Sequence, residues 1–264
     1  MTIDATTQLP APTDDIERAE HDLATSGICA VTGVLSGEVL TAVHADLYQA
    51  AAQDRARGRE QRFGLDHDET NQRVWNVLSR SPRFADLVEH PTALRLLRSV
   101  LGWPMLLGNL SANITGPGGG EMALHADQLF VPQPWPAAPQ GANAAWCVDE
   151  FTEANGATCF VPGSHLLHRP PRPDETAAAI AIEAPAGTLV VFESRLWHRT
   201  GCNRTADQKR AAIFGWYTRP IYRTQENWFL SLDPSVRQFA SDDLLVLLGY
   251  RTSGLGLVNG ASPA

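Results

Sequence analysis

The sequence predicts a single domain in which helices come first and a β sandwich or barrel follows. Two observations support this prediction. Apolar residues recur at helical spacing before residue 103, and short β-rich runs separated by Gly- and Pro-rich turns follow residue 104. The chain has 264 residues, of which 44% are hydrophobic, so it can bury a sizeable core. We therefore expect a mainly β protein with bracing helices.

The amino-terminal part divides into an arm and a helical half. Residues 1–14 are polar, acidic and contain proline, which predicts a disordered arm. The single domain is expected over residues 15–264, with its helical half at about 15–103. One predicted helix ends at Gly58 and another at Gly102, because glycine commonly terminates helices.

The β core is expected over about residues 104–223, and a C-terminal cap with a helical segment and a glycine-rich tail over about 224–264. The core is inferred from short runs rich in β-forming residues. These runs are MLLGNLSANITG, AAWCVDEF, ATCFVPG, GTLVVFES and RAAIFGWYTRP.

Composition and charge restrict the partners. A net charge of −8 argues against nucleic-acid binding, which needs a basic footprint. The sequence has neither the features of a signal peptide nor an apolar stretch of membrane-spanning length. Four scattered cysteines without CxxC spacing predict thiols in a reducing compartment. We expect a cytoplasmic monomer or homodimer that acts on a small molecule, without nucleic-acid or membrane partners.

A His-x-Asp motif in the β-rich half predicts a metal site. On a strand, residues i and i+2 project to the same face, so His125 and Asp127 can grip one ion. His198 follows the strand-like GTLVVFES in a strand–turn setting. Two histidines and one carboxylate leave three octahedral positions open, as non-haem Fe(II) oxygenases require. These three residues are the predicted metal ligands and catalytic residues.

The chain contains an internal control for this motif. His44 and Asp46 repeat the His-Ala-Asp triplet within a predicted helix. Residues i and i+2 of a helix lie about 200° apart around its axis, so both cannot face one ion. We interpret this second triplet as a coincidence on a helix surface.

Arg210 is a candidate anchor for a dicarboxylate cosubstrate. An arginine binds a carboxylate through its planar fork and stays charged when buried. Arg210 begins the predicted strand RAAIFGWY, beyond His198. The alternative interpretation is a surface charge at a strand end.

Four segments in the β-rich half carry a family resemblance. They are GEMALHADQ, NGATCFVPGSH, GTLVVFESRLWHRTGCNRT and KRAAIFGWY. With these motifs, the chain resembles the phytanoyl-CoA dioxygenase family of Fe(II)/2-oxoglutarate-dependent oxygenases over roughly residues 15–223. The resemblance implies a double-stranded β-helix, also called a jelly roll and similar to cupins, braced by helices.

The same resemblance implies the cofactors and several roles. Fe(II) is the metal, and 2-oxoglutarate and O₂ are cosubstrates. His125, Asp127 and His198 are then the iron ligands, Arg210 binds the C5 carboxylate of 2-oxoglutarate, and Thr158 adds a hydroxyl hydrogen bond.

The chain departs from the family pattern at two positions. Many members carry the arginine one position earlier, where this chain has Lys209. The following AAIFGWY favours Arg210, and Lys209 is the alternative anchor. Some relatives have a glutamine where this chain has Met122, so we expect Asn113 to help hold the near end of the cosubstrate.

Candidate substrate contacts come from two regions. Gln128 and Phe130 flank the ligand motif and are predicted to line the substrate cavity, although Phe130 could equally pack on the sheet. Arg73 and Trp75 lie in the helical half, which covers the pocket in relatives. Trp216, on the predicted Arg210 strand, is expected in the core.

The expected reaction is hydroxylation of an unactivated C–H bond in a small, fairly apolar metabolite, with secondary-metabolite biosynthesis favoured. The Pro- and Trp-rich PQPWPAAPQG indicates an apolar rim. Desaturation, epoxidation or cyclisation, a metal-binding jelly-roll protein without turnover, and a zinc hydrolase are alternatives. Asp127 argues against halogenation, because radical halogenases of this group replace the carboxylate ligand with a small residue.

Overall fold

The computed structural model describes residues 8–58, 70–173, 175 and 179–263. Helices occur before, between and after the strands of the core. The described helices are α1 (Ile16–Ser26), α2 (Gly37–Ala56), α3 (Arg83–Val88), α4 (Pro91–Leu101), α5 (Trp228–Ser231), α6 (Pro234–Gln238) and α7 (Asp242–Leu247). The described strands are β1 (Ile28–Val31), β2 (Asn71–Val74), β3 (Leu106–Thr115), β4 (Gly141–Cys147), β5 (Thr158–Phe160), β6 (Ile180–Ala181), β7 (Leu189–Glu193), β8 (His198–Thr200) and β9 (Arg210–Thr218).

Two antiparallel sheets form the core. The larger has the strand order β1-β7-β4-β9-β3-β2, and the smaller has the order β6-β5-β8. Strand β9 lies between β4 and β3, with Thr115 opposite Arg210 and Asn113 opposite Ala212. Because sequence-distant strands are neighbours, residues from the whole β half meet on the inner face of the larger sheet.

The alternation of side chains along β9 separates a helix-facing core from an inner face. Ala211 and Ile213 belong to the core that the larger sheet shares with the helices. Phe214 and Trp216 instead line a cavity on the opposite face. This is the two-residue period of a strand covered on both sides.

The helices begin and end where their sequences predict. Asp15 Oδ1 accepts hydrogen bonds from the amides of Glu17 and Arg18, which caps α1. Pro91 begins α4 and Gly102 follows its last residue with a φ of 77°. The buried faces of α1 and α4 pack on the larger sheet and leave its inner face to the cavity.

One predicted segment differs from expectation. Thr13, within the predicted arm of residues 1–14, is buried and its amide donates to the carbonyl of Ala30, so this end of the arm is ordered by strand pairing. Residues 1–7 lie outside the described part.

The C-terminal segment beyond Gln225 packs mainly on the core that the larger sheet shares with the helices. Trp228 Nε1 donates to the carbonyl of Leu107, and Leu247 is fully buried. Within the described ranges, none of the helices has the length and apolar character needed to cross a bilayer.

Candidate metal centre and cosubstrate site

Three side chains converge between the two sheets. Ligand atoms of His125, Asp127 and His198 all lie within 4.8 Å of one another. Asp127 Oδ1 is 3.7 Å from His125 Nε2, and its Oδ2 is 3.4 Å from His198 Nε2. The structure therefore brings together the three residues that the sequence singled out, in a donor set suited to a divalent transition metal.

The local backbone differs from the predicted strand. His125 forms a single antiparallel bridge with His198, with N–O distances of 3.0 Å and 2.8 Å. A turn begins at Asp127, and the amide of Gln128 donates to the carbonyl of Ser194. The prediction of a regular strand through 125–127 is wrong, because pairing stops after one bridge. That bridge still joins the two histidine backbones directly.

Both histidines are oriented by their own backbone. Nδ1 of His125 lies 2.9 Å from the carbonyl of Ala123, and Nδ1 of His198 lies 2.9 Å from the carbonyl of Leu196. A carbonyl only accepts, so each Nδ1 carries the proton in this contact. When neutral, each imidazole presents its Nε2 lone pair to the cluster, which is the arrangement that metal-ligating histidines need. Burial lowers the pKa of His198, but the neighbouring Asp127 outweighs burial and raises it, so metal binding would release the proton from Nε2 of His198.

The environment favours a carboxylate between imidazoles. Burial opposes ionisation of Asp127, but the neighbouring His198 and His125 and a hydrogen bond from Asn143 outweigh it, so its pKa lies below the usual range. Burial and then the neighbouring His198 lower the pKa of His125 to about 4. A neutral His125 beside an ionised Asp127 is the protonation state that binds a metal cation.

Asn143 is a contact that the sequence did not predict. Its Nδ2 donates to Asp127 Oδ2 at 2.8 Å. The residue lies in β4 and is only 3% exposed. A buried asparagine in a run of small and apolar strand residues is unusual, and that was the available signal.

Arg210 is a buried guanidinium held from one side. Its Nε and Nη2 donate to the carbonyl of Gly156 at 3.0 Å and 2.7 Å, and Nη2 also donates to Thr115 Oγ1 at 3.0 Å. Nη1 is buried without a hydrogen-bond partner among the described residues. Burial lowers the pKa of Arg210 to about 10. A buried cation with one open edge fits a ligand carboxylate.

Lys209 occupies a different environment. Its side chain is exposed, with Nζ 6.0 Å from the ring centroid of Tyr48, whereas Arg210 is 0% exposed. Of these two cations, the buried one is Arg210, which the following segment AAIFGWY favoured as the anchor.

The other two predicted cosubstrate residues, Thr158 and Asn113, line the cavity that borders the three candidate ligands, whereas Arg210 is buried beyond its lining. Thr158 is buried, and its Oγ1 lacks a hydrogen-bond partner within the described structure. Asn113 donates from Nδ2 to Asn71 Oδ1 at 2.7 Å, and its Oδ1 accepts from Thr115 Oγ1 at 3.0 Å. The second Nδ2–H of Asn113 is available to a ligand. Orphaned polar groups at Thr158 and Arg210 fit an oxygen-rich cosubstrate.

A cavity of about 390 Å³ opens onto the three candidate ligands. One wall is aromatic: Phe130 contacts Trp216 edge-on at 5.0 Å and Tyr222 edge-on at 4.9 Å between ring centroids. Strand β3 contributes Asn109 and Ser111 to a polar wall. The site therefore offers both an apolar and a hydrogen-bonding surface.

The predicted substrate residues are divided between cavity and frame. Arg73, Trp75 and Phe130 line the cavity. Gln128 does not; it is fully buried, and its Oε1 accepts from the amide of Gln140 at 2.9 Å, so it supports the loop behind the site. Trp216, expected in the core, lines the cavity because it faces inward on β9.

Two further cavity residues were not predicted. Arg223 and Gln225 follow β9 and reach the cavity, and Gln225 Oε1 accepts a hydrogen bond from Asn109 Nδ2. Their contribution depends on where the chain returns after the last strand, which no local motif indicates.

The control triplet behaves as predicted. His44 Nε2 lies 3.2 Å from Asp149, whereas Asp46 pairs with Arg83 at 2.8 Å. The two side chains of this helical triplet have separate partners and do not converge.

The fold and this site define an iron-dependent oxygenase that uses 2-oxoglutarate. A family model described as Phytanoyl-CoA dioxygenase (PhyH) matches residues 23–211. The chain belongs to this family, which confirms the family resemblance and the expected enzyme class.

Relatives of known name support the same assignment. The chain is 36% identical over 245 residues to dioxygenase af480 of Aspergillus fumigatus, covering 91% of this chain and 79% of that protein. It is 30% identical over 287 residues to dioxygenase swnH1 of Metarhizium robertsii, covering 98% of this chain and 90% of that protein. Both relatives are named dioxygenases.

Solved structures share the fold. The epimerase SnoN, in complex with Fe³⁺, α-ketoglutarate and nogalamycin RO, superposes with a TM-score of 0.63 and 23% identity, covering 87% of this chain and 93% of SnoN. HygX from Streptomyces hygroscopicus, with nickel, 2-oxoglutarate and hygromycin B bound, superposes with a TM-score of 0.64 and 15% identity, covering 78% of this chain and 88% of HygX. At such identities the likeness shows the fold, and the predicted jelly roll is confirmed.

Proposed function

We propose that the protein is an Fe(II)/2-oxoglutarate-dependent dioxygenase that hydroxylates an unactivated C–H bond of a small, fairly apolar metabolite. One observation carries the proposal: a His-Asp-His cluster borders a cavity, and the buried guanidinium of Arg210 lies on the same inner sheet face with Nη1 unpaired in the described structure. A metal and a dicarboxylate would each find complementary groups there.

The residues divide the work by their chemistry. His125, Asp127 and His198 would hold iron, which when bound supplies O₂ activation coupled to oxidative decarboxylation of 2-oxoglutarate. Arg210 would bind the C5 carboxylate through its Nη1 edge, and Thr158 would donate its hydroxyl to the cosubstrate.

Asn113 has an amide hydrogen available for the near end of the cosubstrate. The hydrogen bonds that its Nδ2 and Oδ1 make to Asn71 and Thr115 fix the orientation of the amide. This supports Asn113 as the polar donor in place of the glutamine that some relatives carry where this chain has Met122. The sulfur of Met122 accepts from Thr200 Oγ1 at 3.1 Å, so it is directed at the protein.

The walls of the cavity support a substrate with an apolar body and some polar groups. A volume of about 390 Å³ suits a small molecule. Phe130, Trp216 and Trp75 would contact apolar rings or chains, and Arg73 would contact an oxygen-bearing group. SnoN and HygX are solved with nogalamycin RO and hygromycin B, which favours a secondary metabolite as substrate.

Hydroxylation is one of several outcomes that this site allows. SnoN is an epimerase and SnoK, which has the same fold with a TM-score of 0.61, is a carbocyclase. Desaturation, epoxidation and cyclisation use the same cosubstrate, and the product distinguishes them from hydroxylation.

Free thiols at the four cysteines support a cytoplasmic location.

The proposal is tested by following succinate release from 2-oxoglutarate with added Fe(II) and ascorbate, alone and with a library of secondary metabolites. We expect slow succinate release alone and faster release with a substrate whose product gains one oxygen atom. Absence of succinate with iron-loaded, folded protein would favour a binding protein without turnover. Metal-dependent hydrolysis with zinc in place of iron would favour a hydrolase.

A further inference from the structure

We infer that Asn143 is a positioning residue of the metal centre, which fixes the Asp127 carboxylate so that a single oxygen faces the metal. This inference rests on the proposed function, because it assigns a role around the proposed iron site. The role depends on the hydrogen bond from Asn143 to Asp127 and on strand β4, which holds Asn143.

The hydrogen bond has little freedom to change. Asn143 is 3% exposed and lies opposite Phe192 of β7 and Trp216 of β9 in the larger sheet. Both neighbours are large aromatic residues, and β4 is paired along both edges. Asn143 therefore donates to Asp127 from a rigid support, 2.8 Å from Oδ2.

The contact distinguishes the two oxygens of Asp127. Oδ2 accepts the amide hydrogen of Asn143 and lies 3.4 Å from His198 Nε2, whereas Oδ1 lies 3.7 Å from His125 Nε2 and accepts no hydrogen bond in the described part of the chain. Oδ1 is thus the oxygen with fewer protein contacts, and the more available of the two to a cation. An amide donor suits this position because it stabilises the carboxylate without adding a second negative charge.

A one-oxygen contact has a consequence for the proposed chemistry. If both oxygens of Asp127 bound the metal, they would take one of the three positions that the His-Asp-His set leaves open. A bidentate cosubstrate and O₂ need all three. By engaging Oδ2, Asn143 keeps the carboxylate from spreading over two positions.

The test compares Asn143→Leu and Asn143→Ala with the native enzyme in anaerobic titrations. Both substitutions remove the donor, one at similar volume and one with a cavity. Outer-shell partners of metal ligands typically contribute about 10- to 100-fold to metal affinity or activity. We expect a loss of this size in Fe(II) affinity, in 2-oxoglutarate affinity of the iron-loaded protein, or in both, with a shifted charge-transfer band of the iron–cosubstrate complex.

Asn155→Leu is the matched control for metal binding. It removes a buried amide outside the cavity lining, where Nδ2 donates to the carbonyl of Glu150 and not to Asp127. Its Fe(II) affinity should equal that of the native protein. Circular dichroism and thermal unfolding identify which variants are folded.

The outcomes separate this inference from the proposed function. Native Fe(II) affinity, cosubstrate affinity and absorption band in a folded Asn143→Leu or Asn143→Ala variant would overturn the role of Asn143. Failure of the native chain itself to bind Fe(II) would instead overturn the proposed function.

Discussion

Arg210 and Thr115 face each other across strands β9 and β3 and are joined by a buried hydrogen bond of 3.0 Å from Nη2 to Oγ1. Together with the carbonyl of Gly156, Thr115 satisfies one side of the guanidinium. Nη1 has no hydrogen-bond partner in the described part of the chain. Buried cations are costly without a partner, so the carboxylate of the proposed cosubstrate would complete this site.

Arg210→Ala should weaken 2-oxoglutarate binding by about 2 kcal/mol, which corresponds to about 30-fold, because it removes hydrogen bonds to a charged carboxylate. Lys209→Ala should leave the affinity unchanged, since Lys209 is exposed and precedes the first residue of β9. Calorimetric titration of the metal-loaded protein measures both. The reverse ranking of the two variants would assign the anchor to Lys209.

Asp127→Ala should abolish succinate formation while leaving the fold intact. The Asp127 side chain is partly exposed, and its described hydrogen bond is the one from Asn143. Removing it therefore breaks few contacts of the fold. Loss of the carboxylate leaves two imidazoles to hold the metal, and their affinity for a ferrous ion is lower. Circular dichroism checks the fold and succinate assays check activity. Undiminished product formation would remove the carboxylate from the mechanism.

Gly108→Ala should narrow the cavity and destabilise the protein by roughly 1–3 kcal/mol through overpacking. A Cβ at this position would lie 2.2 Å from Cε3 of Trp216, so the indole must move. Urea unfolding and the tryptophan emission spectrum measure the effect. Gly254→Ala is the control, because nothing lies within 4 Å of its added Cβ. Equal stability of the two variants would show that the packing of the Trp216 indole does not require a glycine at position 108.

Glu193→Ala should destabilise the protein by roughly 3–5 kcal/mol, because it leaves the buried Arg195 without its carboxylate. Glu193 accepts from Arg195 Nε at 2.7 Å and from Nη2 at 2.8 Å, and both side chains are buried. The same arginine donates to the carbonyl of Ala137, in the loop that follows the ligand motif.

The exposed pair of Glu153 and Arg204 supplies the comparison for this prediction. Their side chains are 70% and 66% exposed and 3.5 Å apart, so Glu153→Ala should cost roughly 0–1 kcal/mol. Denaturant unfolding of both variants gives the two free energies. Similar values would contradict the importance of the buried ion pair.

The sequence was sufficient for the residues whose chemistry is marked locally. His125 and Asp127 are distinguished by their spacing in the β-rich half, although the chain there forms one bridge and a turn in place of the predicted strand, and Arg210 by its place at the start of a strand. The His44 triplet shows that context, and not the motif, carried this prediction. The helix ends at Pro91 and Gly102 also follow from local backbone chemistry.

Three other placements depend on how distant segments pair and turn in the folded chain, so the sequence alone did not predict them. Asn143 reaches Asp127 because β4 lies beside β7 and β9, and Trp216 faces the cavity because of its position on β9. Gln128 differed from expectation for the converse reason, since the turn at Asp127 directs it toward Gln140. Strand pairing and register decide the first two placements, and a turn that the sequence did not predict decides the third.

The central claim is that His125, Asp127 and His198 bind one ferrous ion that works with 2-oxoglutarate. Anaerobic Fe(II) titration followed by addition of 2-oxoglutarate and then O₂ tests it most directly. We predict stoichiometric iron binding, a charge-transfer band on adding the cosubstrate, and O₂-dependent conversion to succinate that Asp127→Ala loses. Conversion that is independent of Asp127, or folded native protein that binds no iron, would contradict the claim.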